Sequence, residues 1–207
     1  MSGALILHEY AASGNCYKIR LTAALLGLSL ERRPYDILKG ETRTPEFLAT
    51  VNANGRIPVL QIGDRFMPES NAACVWLAHG SHLIPTKRFA HADMLRWMFW
   101  EQYSHEPNVA TTRFWLAFVG RHNLSEMQLG LLPGKIEAGN AALALMDEHL
   151  GQHEWLAGDG LSLADIALFA YTHVAEEGDA FRLADYPHVQ RWLEAIVAQP
   201  GYIAITD

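Results

Sequence analysis

The chain has 207 residues, half of them apolar and 19% charged, with a formal net charge of -7. That length and apolar content suit one large or two small globular domains and exclude a disordered chain. The acidic balance argues against a general nucleic-acid or membrane-surface binder, which presents a basic field; an anionic small ligand held by a few local donors stays open.

In chain order, the first ten residues lack the basic start and long apolar core of a signal peptide. ALILH (4–8) reads as a buried strand, and residues 14–28 repeat apolar side chains at helical spacing before a stop at Gly27. LERRPYDI (30–37) reads as a second strand, with Pro34 favouring an edge or a bulge. This β-α-β start predicts a parallel pair. A short helix is expected over 44–52, with Pro45 at its first position. Two strands then flank the hairpin signal Gly63-Asp64. A helix over 70–80 follows, with Ser70 placed to cap it.

Residues 81–88 read as a linker, and no convincing strand follows. Residues 89–119 are dense in aromatics and methionines, 134–150 form an amphipathic helix, LSLADIALFAYTHVA is an almost wholly apolar one, and 187–199 is the last. The expected division is an α/β domain over 1–80, the linker, and an all-helical domain over 89–207. No run approaches the ~18 apolar residues of a membrane span. The two cysteines, Cys16 and Cys74, are too few for a disulfide framework and match no metal spacing. The ten histidines form no zinc motif. No metal is expected, and a reducing cytoplasm is the simplest compartment.

Three stretches carry candidate chemistry. In AASGNCYKIR, Ser13 stands where a strand meets a helix, and the first-turn N–H groups favour an anion. Its hydroxyl can donate to a bound thiolate or simply cap the helix. Cys16, one turn on, is a reactive thiol or a buried small residue. There is no serine-hydrolase elbow. In GRIPVLQIGDRFMPES, a hairpin would bring Pro58 close to Glu69 and Ser70. Glu69 could then meet an ammonium while Ser70 and the helix N-terminus meet a carboxylate, the two ends of an α-amino acid. The plainer alternative is an N-cap beside a solvated acid. In LSLADI, Ser162 and Asp165 form a capping box, with Leu161 and Ile166 placed as a hydrophobic staple. That is a folding signal rather than a catalytic one.

Taken together, SGNCYKIRL, VNANGRIPVL, MPESNAACVWLA and WLAGDGLSLADI make a sequence that resembles a cytosolic glutathione S-transferase of the serine-type group related to bacterial, theta and phi classes. The resemblance covers nearly the whole chain. It implies an α/β thioredoxin-like N-terminal domain (βαβ-α-ββα), an all-α C-terminal domain, a homodimer, and glutathione as co-substrate. It implies a cis bond before Pro58 and backbone pairing of Ile57 with the cysteinyl part of glutathione. It further implies that Glu69 and Ser70 hold the γ-glutamyl end and that Lys39 and Arg56 lie near the glycyl carboxylate. Ser13 matches the residue that meets the sulfur, with Asn15 and Cys16 as accessory candidates. The second substrate is expected between the domains, against aromatics such as Trp100, Tyr103 and Phe114. The expected activity is conjugation of the glutathione thiolate to small hydrophobic electrophiles. Glutathione-dependent disulfide or peroxide reduction and a non-catalytic binding role are the alternatives. SGNC carries serine where thioredoxin-type reductases carry their first cysteine, so a dithiol mechanism has no place here.

Overall fold

The computed structural model describes residues 4–207. Their contacts divide into two compact units, one running to Ile84 and taking back Gln199–Asp207, the other Pro85–Ala198. The expected division places 199–207 in the helical domain, whereas this last stretch packs with the first unit.

The first unit is built on four strands, β1 (Leu5–Glu9), β2 (Glu31–Pro34), β3 (Val59–Ile62) and β4 (Arg65–Pro68), in the order β2-β1-β3-β4. β1 pairs with β2 in parallel and with β3 antiparallel, and β3 pairs antiparallel with β4. β1, one of the two inner strands, is buried over its second half, Leu7 to Glu9. β2 is an exposed edge ending at Pro34, where a missing N–H costs no ladder bond. It is shorter than the expected 30–37 because Asp36 turns the chain instead, accepting from Leu38 N (3.0 Å) and Lys39 N (3.3 Å). The hairpin closes at Ile62 and Arg65, with Gly63 at φ 61.

The unit has three helices, α1 (Gly14–Leu25), α2 (Pro45–Thr50) and α3 (Ser70–Leu77), of which α1 and α3 pack together on the sheet. Cys16, Ile19, Leu21 and Ala23 of α1 are buried, as are Ala73, Cys74 and Leu77 of α3 and the sheet residues Leu7, Val59 and Leu60. The α/β thioredoxin-like class expected for this half is the one observed.

The second unit is wholly helical. α4 (Arg88–Trp100) runs through a π-helical turn at Glu101–His105 into α5 (Glu106–Arg113) and a second π-helical turn at Phe114–Val119. Pro107 gives the first turn a physical cause: its ring and missing N–H disturb the preceding turn, and a wider turn absorbs that. α6 (Glu126–Leu150) starts eight residues earlier than the expected 134. Ser125 and Gln128 cap each other and start the helix ahead of Gly130, Pro133 and Gly134. Pro133 and Leu129 are both exposed, so water can take the carbonyl that the proline leaves unpaired.

α7 (Leu163–Thr172) is buried along its entire length. α8 (Pro187–Val197) buries Val189, Trp192 and Ile196 at helical spacing. The Ser162–Asp165 box forms as expected, with Ser162 N (2.9 Å) and Oγ (2.8 Å) both donating to Asp165 Oδ2. Leu156 N and the Trp192 indole donate to Oδ1, each at 2.9 Å. Asp165 therefore does more than cap α7. It joins the 150s loop and α8 to the same helix.

Just beyond α7, His173 stacks on Phe169 with ring centroids 4.5 Å apart. Burial pushes its pKa from 6.5 down to about 4. The folded chain keeps this ring neutral where the unfolded chain would take a proton. Its contribution is therefore intact above pH ~6.5 and lost as the pH falls toward 4, up to about 3 kcal/mol. Denaturation at pH 7, 5.5 and 4.5 should show that loss, and His173→Leu should flatten the pH dependence.

Candidate functional site

The sheet's register gathers the candidate residues at one end. Val59 faces His8 on one side and Pro68 on the other. Pro58 thus lies at the strand ends next to Glu9 and Glu69, and the chain leaves Glu9 directly for the loop that enters α1. The Ile57–Pro58 bond is cis. Pro58 is buried and Ile57 half-buried.

The loop before Pro58 is tied by its own side chains. Asn52 Oδ1 accepts from Asn54 N (3.0 Å), and its amide donates to Arg56 O (2.9 Å). Gly55 has φ 62, a left-handed backbone conformation that favours glycine. The cluster NANGR carried this turn signal in plain view.

Glu69 takes φ 71 and ψ 108, a conformation that costs a non-glycine residue on the order of 1–3 kcal/mol and recurs at ligand sites. The expectation that Ser70 caps α3 is corrected: Ser70 is the first helical residue and Glu69 occupies the cap position. The buried Ser70 hydroxyl donates to Asn15 Oδ1 at 3.1 Å. That bond, spanning 55 residues, links the N-termini of α3 and α1, and nothing local in the sequence announces it. Two helix N-termini therefore open side by side, each with a partial positive charge.

Ser13 caps α1, accepting from Cys16 N at a long 3.4 Å. That contact uses a lone pair and leaves the hydroxyl hydrogen able to donate. Cys16 is fully buried, accepts from Tyr10 N at 3.4 Å, and has its thiol pushed up to about 12 by burial. It is a thiol at neutral pH, packed under the loop.

Lys39 and Arg56 are both exposed, and the Lys39 ammonium pairs with Asp36 at 3.1 Å. The aromatics of the helical unit divide. Trp100 packs edge-on against Trp97 (5.2 Å), Tyr103 is 88% exposed, and Phe114 stacks on Phe118 (6.0 Å). Among the described residues no ring contact joins these three. Nor does any group of three or more His, Cys, Asp or Glu side chains gather as metal ligands there. No helix among them is long and apolar enough to cross a membrane.

The first unit is thioredoxin-like, the second is helical, and the cis-proline lies at the same end of the sheet as Glu69 and the start of α3. Residues 12–79 match the family model for the glutathione S-transferase N-terminal domain, and residues 114–200 that for the C-terminal domain. The chain belongs to the glutathione S-transferase family. It is 30% identical to glutathione S-transferase 3 of Zea mays, over 96% of this chain and 91% of the relative. It is 27% identical to an elongation factor 1-gamma of Oryza sativa, covering 96% of this chain and 47% of that one. The crystal structure of a glutathione S-transferase from Pseudomonas fluorescens superposes with a TM-score of 0.91 at 40% identity, covering 98% of this chain and 99% of that one. A possible glutathione S-transferase from Rhodopseudomonas palustris gives 0.91 at 42%, covering 97% and 89%.

Proposed function

We propose that this protein is a glutathione transferase that binds glutathione as its thiolate and adds it to small hydrophobic electrophiles. The observation that carries this reading is the Ser13 hydroxyl, with a hydrogen to donate, beside the N-termini of α1 and α3 joined by the Asn15–Ser70 bond. A thiolate there receives a charge-assisted hydrogen bond and the field of a helix N-terminus. Both stabilise the anion over the thiol, so more of the nucleophile is present at neutral pH.

The rest of glutathione suits the neighbouring groups. Main-chain groups of Ile57 lie beside the cis bond, where an extended peptide can pair with them. The carboxylate of Glu69 suits the γ-glutamyl ammonium, and the Ser70 end of α3 suits its carboxylate. Lys39 and Arg56 supply cations for the glycyl carboxylate. Of the aromatics, Phe114 and Trp100 fit an apolar co-substrate better than the exposed Tyr103. With Phe99 72% and Met127 72% exposed, Tyr103 suits a subunit contact, and a homodimer is part of the reading. Two buried free cysteines suit the cytoplasm.

Assay of the purified protein with glutathione and an aryl halide, a glutathionyl mixed disulfide and a hydroperoxide tests the reading. Turnover is expected with the aryl halide, and Cys16→Ala should retain it within about threefold, since a fully buried thiol with a pKa near 12 has no part in the chemistry. Turnover of the disulfide alone, abolished in Cys16→Ala, would overturn it.

A further inference from the structure

The last residues of the chain return to the first unit and run along α1. At Gly201 an added Cβ would lie 2.9 Å from Ala24 O, and φ is 85, so only glycine allows so close an approach. The Tyr17 hydroxyl donates to Ile203 O at 2.6 Å. Asp207 folds back, its carboxylate accepting from Ala204 N at 2.7 Å.

Arg20, on the same helix and only 3% exposed, makes the decisive contacts. Its Nη1 donates to Asp207 O (2.7 Å) and its Nη2 to Ile205 O (2.9 Å). The same Nη2 donates to Ala11 O at 2.6 Å. Glu9 lies 3.1 Å from Arg20 Nε and also pairs with Arg32, whose Nη1 donates to Asp207 O at 2.6 Å. One guanidinium thus holds the returning strip and the loop that ends at Ser13. Ala11 stands two residues before that serine, and Ser13 N donates to Tyr10 O at 2.9 Å.

We propose that residues 203–207 are a positioning strap for the Ser13 loop, acting through Arg20. The proposal rests on the reading of Ser13 as donor to the thiolate. The planar fork of arginine has a fixed geometry, so where its acceptors stand decides where the head group points. The strap oxygens fix that head, the head fixes Ala11 O, and the loop presents the Ser13 hydroxyl. Hydrogen-bond strength falls steeply with misalignment, and a displacement of ~1 Å can cost on the order of a hundredfold in rate. Arg20 and the strap are positioning groups; neither touches substrate.

The test compares the full chain with a variant lacking Ile203–Asp207. Two readouts are used: hydrogen exchange at the Ala11–Cys16 amides without ligand, and the pH midpoint of thiolate absorbance with glutathione bound. The variant should exchange about tenfold faster across Ala11–Cys16, with β3 and α3 unchanged. Its thiolate midpoint should rise, and kcat for conjugation should fall about tenfold while KM for glutathione stays within twofold, because Ile57, Glu69 and Ser70 are untouched. If the deletion does not fold, Asp207→Ala and Tyr17→Phe each remove one strap bond and should move both readouts the same way by less. Unchanged exchange in all folded variants overturns the strap. If exchange rises but the thiolate midpoint and kcat do not move, the positioning role is overturned. A full chain with no thiolate absorbance or turnover would sink the reading of Ser13 instead, while the exchange comparison still decides whether the strap holds the loop.

Discussion

Ser13→Ala is expected to lower the rate of glutathione conjugation about 10- to 100-fold and to raise the pKa of bound glutathione by about one to two units. The magnitude follows from one hydrogen bond to a charged group, about 1.5–3 kcal/mol, with 1.36 kcal/mol per pKa unit. The bond acts on the thiolate and hardly on the thiol, so the loss should fall on the reactive form; KM for glutathione should change little. A helix cap is lost in the same substitution, at a cost of ~1 kcal/mol or less, and the 3.4 Å contact to Cys16 N is a long one. Ser13→Gly separates the two roles, because glycine costs a cap only a few tenths of a kcal/mol yet carries no hydroxyl. Both variants should lose activity alike, and Ser13→Thr should keep most of it. The measurements are stopped-flow conjugation and thiolate absorbance against pH. Full activity in both Ser13→Ala and Ser13→Gly, with glutathione still bound, would show that another group activates the sulfur.

The second large effect is on stability. Asp165→Ala should destabilise the protein by about 3–5 kcal/mol, because several buried donors lose their acceptor at about 1–3 kcal/mol each. Asp165 is fully buried and receives four hydrogen bonds, two on each oxygen. Alanine leaves the Leu156 and Ser162 amides, the Ser162 hydroxyl and the Trp192 indole without their acceptor, each carrying a desolvation cost. A capping box alone accounts for on the order of 1 kcal/mol, so the size of the loss tells a cap from a three-way junction. Asp165→Asn keeps one acceptor but turns an NH2 toward two donors, and should fall between the wild type and alanine. Denaturant unfolding followed by tryptophan fluorescence reads this directly, Trp192 being buried against the carboxylate. A loss of ~1 kcal/mol for Asp165→Ala would mean that the loop and α8 find other partners.

Much of this protein is decided locally. The apolar periodicities, the Gly63-Asp64 turn and the Ser162–Asp165 box each act within a few residues, so the strands, most of the helices and the family motifs could be read directly. Ser13 at the start of a helix, Glu69-Ser70 after a hairpin and the proline in between were legible for the same reason. The helix over 126–150 begins ahead of the expected 134 because Ser125 and Gln128 cap each other, and solvent exposure makes Pro133 tolerable inside it. What only the tertiary structure decided are the contacts between residues far apart in the chain. The Ser70 hydroxyl could have capped its own helix; packing α1 against α3 gave it Asn15 instead. Asp165 read as a cap until Trp192 and Leu156 arrived from other segments. Residues 199–207 carry no motif, and nothing around Arg20 in α1 signals its partners. Their joint role exists only because the returning chain sets main-chain oxygens before a guanidinium that already reaches Ala11. Local patterning selects the elements, whereas a buried polar group takes whichever partner the packing brings within reach, and no spacing in the sequence records that choice.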